Sequence, residues 1–195
     1  VENGYELLWL MDDDTIPDPN SLEELLKAGE MLNSNYGFLS SGVLWKDGTD
    51  CKMNRQRARE RYCGDIPLLR EGIVRIDQAT FVSLLCKSEI VQKAGLPIRE
   101  FFIWGDDIEY SRRLACRLNL PCYLVSRSTV EHAMEHNVGS NLATDVLERL
   151  GRYRYAYRNE FFIYRKEGAK AFFLWLVQCG ACFAAILRGS DHKLR

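Results

Sequence analysis

The stretch LLWLMDDD, residues 7–14, decides the fold. Apolar side chains in direct succession, ended by a run of aspartates and then Pro17, are typical of a short buried strand that leads into a functional loop. The continuous apolar run predicts a strand covered on both faces and hydrogen-bonded in parallel. Adjacent carboxylates repel one another, so the loop is expected to hold a cation or a set of hydrogen-bond donors.

Asp12 and Asp14 are the candidate ligands of that cation. They stand one residue apart in an extended segment, so their side chains leave the backbone on the same side and can converge on one Mg²⁺ or Mn²⁺. The alternative is that the aspartates only cap the following helix, for which one would suffice. Ile16 and Pro17 do not fit an EF-hand loop, and Ile16 departs from the phosphatase motif of the haloacid dehalogenases.

A second acidic segment runs from Trp104 to Glu109 and contains Asp106 and Asp107. It stands at a predicted junction of loop and helix, where a carboxylate is open to a cleft and held by the start of the helix. Asp107 is therefore a candidate general base. The alternative is a capped surface helix, in which Glu109 pairs with Arg113 at i and i+4.

A third segment carries His132 and His136, four residues apart. On a helix they would share one face and could bind zinc, although the glutamate that follows the first histidine in zinc proteases is missing. A metal-ligand role and a structural role for His132 both remain open from the residues alone.

Periodicity and capping signals predict alternating strands and helices. A capping box of Ser21 and Glu24 predicts the first helix. The basic segment 46–64 shows no periodicity and is predicted to be a long functional loop. Apolar and β-branched runs predict strands over 37–45, 72–85 and 122–126. Helices are predicted over residues 88–94, 106–118, 140–167 and 171–187.

Overall composition narrows the class of protein. A formal net charge of -1 argues against a nucleic-acid-binding protein. The odd, scattered set of 7 cysteines favours a reducing compartment over a disulfide framework. Residues 149–170 are rich in Lys, Arg and Tyr, and the apolar stretch 171–187 lies between Lys170 and Arg188. This pattern suits a helix at a membrane interface, and a buried core helix is the alternative.

Two long segments together resemble the family 2 glycosyltransferases, inverting enzymes with the GT-A fold. They are LLWLMDDDTIPDPNSLEELL (7–26) and IDQATFVSLLCKSEIVQKAGLPIREFFIWGDDIEYSRRL (76–114), followed by a downstream histidine. The rhamnosyl- and galactofuranosyltransferases of bacterial polysaccharide assembly are the nearest members, and the resemblance covers residues 5–165. It implies an α/β fold, a partial GT-A domain that is Rossmann-like, with a mixed sheet flanked by helices and C-terminal helices.

The resemblance also implies roles for individual residues. The metal, Mn²⁺ or Mg²⁺, would be held by Asp12, Asp14 and His132. The catalytic residues would be Asp107, as the base, and Asp106. The substrates would be bound by Asp13, Trp104 and Glu109.

The implied reaction uses a UDP- or dTDP-linked sugar of rhamnose or galactofuranose type and a glycan or lipid-linked acceptor. Residues 1–140 would be the C-terminal part of the catalytic domain, and 141–195 a helical extension that contacts a membrane. We expect a nucleotide-binding segment to precede residue 1, and a location in the bacterial cytoplasm at the inner face of the cell membrane. A metal-dependent phosphohydrolase and a non-catalytic remnant of a glycosyltransferase are the alternatives.

Overall fold

The computed structural model describes residues 4–59, 65–142, 145 and 147–189. The chain divides into two compact units. Unit 1 comprises Val1–Pro97 and Asp107–Asn137, and unit 2 comprises Ile98–Asp106 and Val138–Arg195. The predicted domain boundary at residue 140 stays a prediction. Of the cysteines, Cys63 lies outside the described residues, and the described ones are free thiols.

Unit 1 is built on a mixed sheet that has seven strands among the described residues. In spatial order the sheet runs β1-β6-β3-β7-β5-β4, with β2 added along β7. β3 and β7 are parallel, and the other pairs are antiparallel. The strands are β1 (Leu7–Leu10), β2 (Thr15–Pro17), β3 (Phe38–Leu44), β4 (Arg57–Ala58), β5 (Ile73–Gln78), β6 (Leu84–Lys87) and β7 (Cys122–His132).

Helices flank this sheet, and others make up most of unit 2. The helices packed on the sheet are α1 (Ser21–Met31), α2 (Ile66–Arg70), α3 (Ser88–Ala94) and α4 (Asp106–Arg112), which continues as a π-helical turn at Arg113–Arg117. Unit 2 contains a 3₁₀ turn (Arg99–Phe101), α5 (Leu147–Leu150), α6 (Tyr153–Lys166) and α7 (Ala169–Gly189). The predicted α/β class, a mixed sheet flanked by helices, is confirmed.

The period of two along the central strands creates a core on each face of the sheet. Phe38 and Leu84 point to the side covered by α3 and α4, where Tyr110 and Leu114 are also buried. The next residues, Leu39 and Leu85, point to the side covered by α1. Because successive side chains of a strand alternate between faces, apolar runs in β3 and β6 fill both cores at once.

Several local predictions were wrong. β1 pairs with β6 in antiparallel direction, because an apolar run reports burial and not strand direction. The helix α1 has Asn20 as its N-cap, without a side-chain cap bond. The hydroxyl of Ser21 is buried and donates to the carbonyl of Thr129, so tertiary contact takes the place of the capping box.

The predicted strand 72–85 is two strands, β5 and β6. The predicted strand 122–126 extends to His132. The predicted helix 140–167 is divided into α5 and α6 around Gly151, a residue that disfavours helix continuation. The remaining predicted helices agree with the structure to within a few residues.

A chain of buried hydroxyls links the strands beneath the aspartates. Trp9 donates its indole N–H to the hydroxyl of Ser83 over 3.0 Å. The Ser41 hydroxyl lies 2.7 Å from that of Ser83 and 2.7 Å from that of Ser128. Ser128 in turn donates to the carbonyl of Ser21 over 2.9 Å. The chain connects β1, the residue before β6, β3, β7 and α1.

Replacing Ser41 by alanine tests the contribution of this hydroxyl chain to stability. Ser41 is fully buried, so Ser41→Ala removes one hydrogen bond from each of the Ser83 and Ser128 hydroxyls, and we expect a loss of about 1–3 kcal/mol in the free energy of unfolding. Urea denaturation measures it. Ser126→Ala, at an exposed position of the same strand as Ser128, is the control and should change stability by less than about 0.5 kcal/mol. Equal stability of the two variants would contradict the prediction.

Candidate metal centre

Backbone pairing brings the first aspartates and the late histidine together. After β1 the chain turns, with the N–H of Thr15 donating to the carbonyl of Asp12, and enters β2. Thr15 is the direct partner of His132 in the register of β2 and β7. The N–H of Ala133 donates to the carbonyl of Asp14 over 2.9 Å. Asp14 and His132 are thus neighbours because two strands pair.

Asp12, Asp14 and His132 form a group able to hold a metal ion. Each offers one ligand atom, and these atoms lie within 4.8 Å of one another. Nε2 of His132 lies 3.0 Å from Oδ1 of Asp14. The imidazole is buried and the carboxylates are exposed, so the open side of the group is lined by carboxylate oxygen. Two carboxylates and one imidazole suit Mn²⁺ or Mg²⁺ that completes its coordination with water or phosphate oxygen.

The remaining candidates near this group lie outside it. Asp13 is exposed and is not among the ligand atoms that converge. His136 is exposed, and its ring lies 3.6 Å from the carboxylate of Glu135. His132 stands at the end of a strand, so it shares no helical face with His136. The helical arrangement assumed for the zinc-binding alternative is therefore wrong.

Asn54 contacts the ring nitrogen of His132 that does not face Asp14. Its Oδ1 lies 2.8 Å from Nδ1 of His132, and both side chains are buried. An amide oxygen only accepts hydrogen bonds, so the contact with Asn54 places a proton on Nδ1, which would leave the lone pair of Nε2 for a metal ion when one is bound. An outer partner of this kind fixes the ring orientation that a metal needs.

The basic loop that has no periodicity in the sequence supplies Asn54. Its first part is joined to the segment after β7, since Trp45 donates its indole N–H to the carbonyl of Met134 over 2.9 Å. The backbone N–H of Lys52 donates to Oδ1 of Asn137 over 2.8 Å. Sequence reasoning missed Asn54, because nothing in a single sequence marks an asparagine 78 residues from its histidine as a partner.

The site also perturbs the protonation of His132. Burial would lower the pKa of its imidazole, but the hydrogen bond with Cys51 and the negative charges of Asp14 and Asp12 outweigh burial and raise that pKa above its usual value. A metal ion requires the neutral ring, so metal and proton compete for Nε2. Metal affinity therefore decreases as the pH falls through the raised pKa of His132.

The second acidic segment begins α4. Asp106 and Asp107 are the first residues of that helix, and both are half-buried. Oδ1 of Asp107 accepts the N–H of Ile108 over 2.7 Å, which fixes the carboxylate at the helix start. Their catalytic roles stay predictions.

Glu109 is engaged within the protein. Its carboxylate is buried and accepts Nε of Arg113 at 3.1 Å from both of its oxygens, and Arg117 lies 3.7 Å away. This is the i,i+4 ion pair that the sequence analysis gave as the alternative to a functional role for this acidic segment. The role of Glu109 in binding substrate stays a prediction, and the geometry favours the ion pair.

Trp104 in unit 2 has protein partners on its ring. Tyr153 packs against it edge-on at 4.9 Å between ring centroids, and the guanidinium of Arg149 lies 5.2 Å from the ring centroid. Stacking of Trp104 on a sugar stays a prediction.

The loop before Asp106 has a strained backbone, and hydrogen bonds from Asn159 hold it in place. Phe102 and Trp104 have positive φ angles of 63° and 58°, which residues other than glycine rarely adopt. The side-chain amide of Asn159, fully buried in α6, donates to the carbonyls of Phe101 and Trp104 over 3.0 and 2.7 Å. Asn159 was not predicted from the sequence. The hydrogen bonds from Asn159 hold Phe102 with 74% of its surface exposed.

Comparisons with known proteins show structures of similar fold but do not assign the chain to a family. No family model and no curated protein matches the chain. Among solved structures, GalNAc-T7 with UDP, GalNAc and Mn²⁺ matches with a TM-score of 0.53 and 12% identity, over 69% of this chain and 28% of that one. A197 from STIV matches with a TM-score of 0.46 and 14% identity, over 69% of this chain and 61% of that one. The likeness to GalNAc-T7 supports a GT-A-like fold.

Removing a proposed ligand should abolish tight metal binding. We expect Asp14→Asn or His132→Gln to weaken Mn²⁺ binding by at least about 10-fold, because each removes one of the converging ligand atoms. Isothermal calorimetry on the folded variants measures the affinity. Glu30→Gln, which neutralises an exposed carboxylate of α1, is the matched control. Unchanged affinity in the ligand variants would remove the metal assignment.

Asn54 gives a finer test of the same centre. Asn54→Leu keeps the size of the side chain but cannot accept the Nδ1 proton, so we expect about a 10- to 100-fold loss of Mn²⁺ affinity. Asn54→Asp restores an acceptor and should recover most of it. The ¹⁵N shifts of the imidazole report which nitrogen carries the proton, and Asn35→Leu at an exposed site is the control. Wild-type shifts and affinity in Asn54→Leu would contradict the prediction.

Proposed function

We propose that this chain is the catalytic part of a metal-dependent inverting glycosyltransferase of family 2. The observation that carries the proposal is the convergence of Asp12, Asp14 and His132 at the end of β1, in a unit with a GT-A-like fold. The likeness to GalNAc-T7 concerns the fold alone, and this chain spans 28% of that protein. Activity, substrates and partners are therefore part of the proposal.

The site residues divide the work of sugar transfer. Asp12, Asp14 and His132 hold the metal, and Asp13, exposed beside them, faces the nucleotide sugar. When bound, the divalent ion supplies positive charge that stabilises the leaving diphosphate. With its proton placed on Nδ1 by Asn54, His132 would bind the metal through Nε2.

Asp107 acts as the general base in this proposal, and Asp106 assists it. The acceptor hydroxyl loses its proton to the Asp107 carboxylate while its oxygen bonds to the anomeric carbon of the sugar. The bond from that carbon to the diphosphate breaks in the same step, and the diphosphate keeps the electron pair. Attack opposite the leaving group inverts the anomeric centre. Trp104 and Glu109 help to bind the substrates.

The finer assignments follow the resemblance of the sequence. The donor is a UDP- or dTDP-linked sugar of rhamnose or galactofuranose type, and the acceptor is a glycan or a lipid-linked glycan. The metal is Mn²⁺ or Mg²⁺. The enzyme works in the bacterial cytoplasm at the inner face of the cell membrane, in the synthesis of cell-surface polysaccharide.

Replacing Asp107 separates chemistry from metal binding. We expect Asp107→Asn to lower sugar transfer by at least about 10²-fold, because the amide cannot take the acceptor proton, and to leave Mn²⁺ affinity unchanged. Transfer is measured with UDP-galactofuranose and dTDP-rhamnose as donors and polyprenyl-diphosphate-linked sugars as acceptors. Asp65→Asn is the control, since Asp65 makes no side-chain cap bond.

Three outcomes would overturn the proposal. Wild-type transfer by Asp107→Asn would remove the assigned base. Metal-dependent release of phosphate from simple esters, without a need for a sugar donor, would identify a phosphohydrolase. An absence of calorimetric heat with UDP or dTDP and Mn²⁺, measured on the full-length protein with the expected preceding segment, would indicate a non-catalytic remnant.

A further inference from the structure

The outward face of α7 is largely apolar. The most apolar 18-residue stretch of the helix Ala169–Arg188 has a mean hydropathy of 1.8, and only 6% of that stretch is buried. A surface helix of a soluble protein normally turns polar residues outward. Here the exposed large apolar side chains are Phe173 (64%), Leu174 (56%), Leu176 (47%), Val177 (55%), Phe183 (60%) and Leu187 (55%), and Gln178 is the exposed polar residue among them.

The opposite face of α7 already has a partner in α6. Trp175 is buried and donates its indole N–H to the carboxylate of Glu160 over 2.8 Å. Phe161 packs edge-on against Phe172 at 5.4 Å between centroids. The exposed face is therefore a second apolar surface, beyond the one needed to join the two helices.

The polar helix α6 packs against α7 and thereby limits the orientations that α7 can take in a bilayer. At 20 residues α7 is long enough to cross one. However, α6 runs alongside it, since the Tyr157 hydroxyl lies 3.5 Å from Sγ of Cys182 and Glu160 bonds to Trp175. A crossing would carry Arg154 and Arg158 of α6 into the hydrocarbon, which is unfavourable for each charge. An orientation in the membrane plane leaves α6 at the level of the headgroups.

Exposed cations stand at both ends of the apolar face. Arg165 and Lys166 end α6, Lys170 begins α7, and Arg188 ends it, and all of them are exposed. Long basic side chains reach the headgroup layer while their stems stay beside apolar groups. Their charge is complementary to anionic phospholipids, which attract clustered Lys and Arg.

We propose that α7 lies in the plane of an anionic lipid bilayer, with its exposed apolar side chains, from Phe173 and Leu174 to Leu187, inserted among the acyl chains of one leaflet. α6 covers the other face of α7 and stays in the headgroup layer. This placement distinguishes an in-plane helix from a spanning helix and from a buried core helix. It goes beyond the proposed transferase activity and does not depend on it.

Flotation with lipid vesicles tests the proposal without any sugar donor. We expect the protein to float with vesicles of phosphatidylcholine and phosphatidylglycerol, and to bind phosphatidylcholine alone at least about 10-fold more weakly. Leu174→Glu should weaken binding to the anionic vesicles by at least about 10-fold. Leu96→Glu is the matched control, because Leu96 is an exposed leucine of unit 1 (73%, against 56% for Leu174). Circular dichroism checks that both variants keep their helical content.

A protease experiment tests the in-plane orientation. An epitope tag is added after Arg195, and trypsin is added outside sealed vesicles that carry the protein. An in-plane α7 leaves the tag accessible, so trypsin should remove it without detergent. Protection until detergent is added would show a spanning helix and overturn the proposal.

Other results would also overturn it. These are no flotation with anionic vesicles, equal binding to both lipid compositions, or equal binding by Leu174→Glu and Leu96→Glu. An oligomer in size-exclusion chromatography that Leu174→Glu dissociates, without vesicle binding, would assign the apolar face to a second copy of the chain.

Discussion

The antiparallel pairing of β2 with β7 is the interaction on which the candidate metal centre depends. It sets Thr15 opposite His132 and fixes the backbone of Asp14 against Ala133. A shift of register by one residue would turn the imidazole to the other face of the sheet. The parallel contact of β7 with β3 in turn holds β7 in the sheet. The geometry of the three ligands therefore rests on backbone hydrogen bonds made far from the aspartates.

Electrostatic repulsion explains the remaining architecture around the aspartates. Carboxylates at the exposed end of a strand are stable where a cation and oriented donors balance them. The buried imidazole of His132 supplies one such partner, and Asn54 orients it. The loop that contributes Asn54 has no regular periodicity because its hydrogen bonds go to the segment after β7. A loop without sequence periodicity can thus have a well-defined structure.

Unit 2 shows a different balance of forces. Asn159 satisfies the carbonyls of a loop whose residues Phe102 and Trp104 have unfavourable backbone angles. A buried amide with several partners can maintain such angles, which isolated residues would not keep. On the other side of α6, the helix α7 has an apolar outward face that water does not stabilise. Within this unit, α6 orders a loop through Asn159 and also packs against α7, where Glu160 bonds to Trp175.

The sequence by itself determined the fold class and most of the elements, because apolar periodicity and turn residues are local signals. It also marked Asp12 and Asp14, since a run of carboxylates after a strand is locally unfavourable. Strand direction and the hydrogen bond of the Ser21 hydroxyl were decided by tertiary contacts. So were the partners Asn54 and Asn159, whose contacts join residues 78 and 55–58 positions apart. Such pairs form only when strands and helices pack, and no local pattern encodes them.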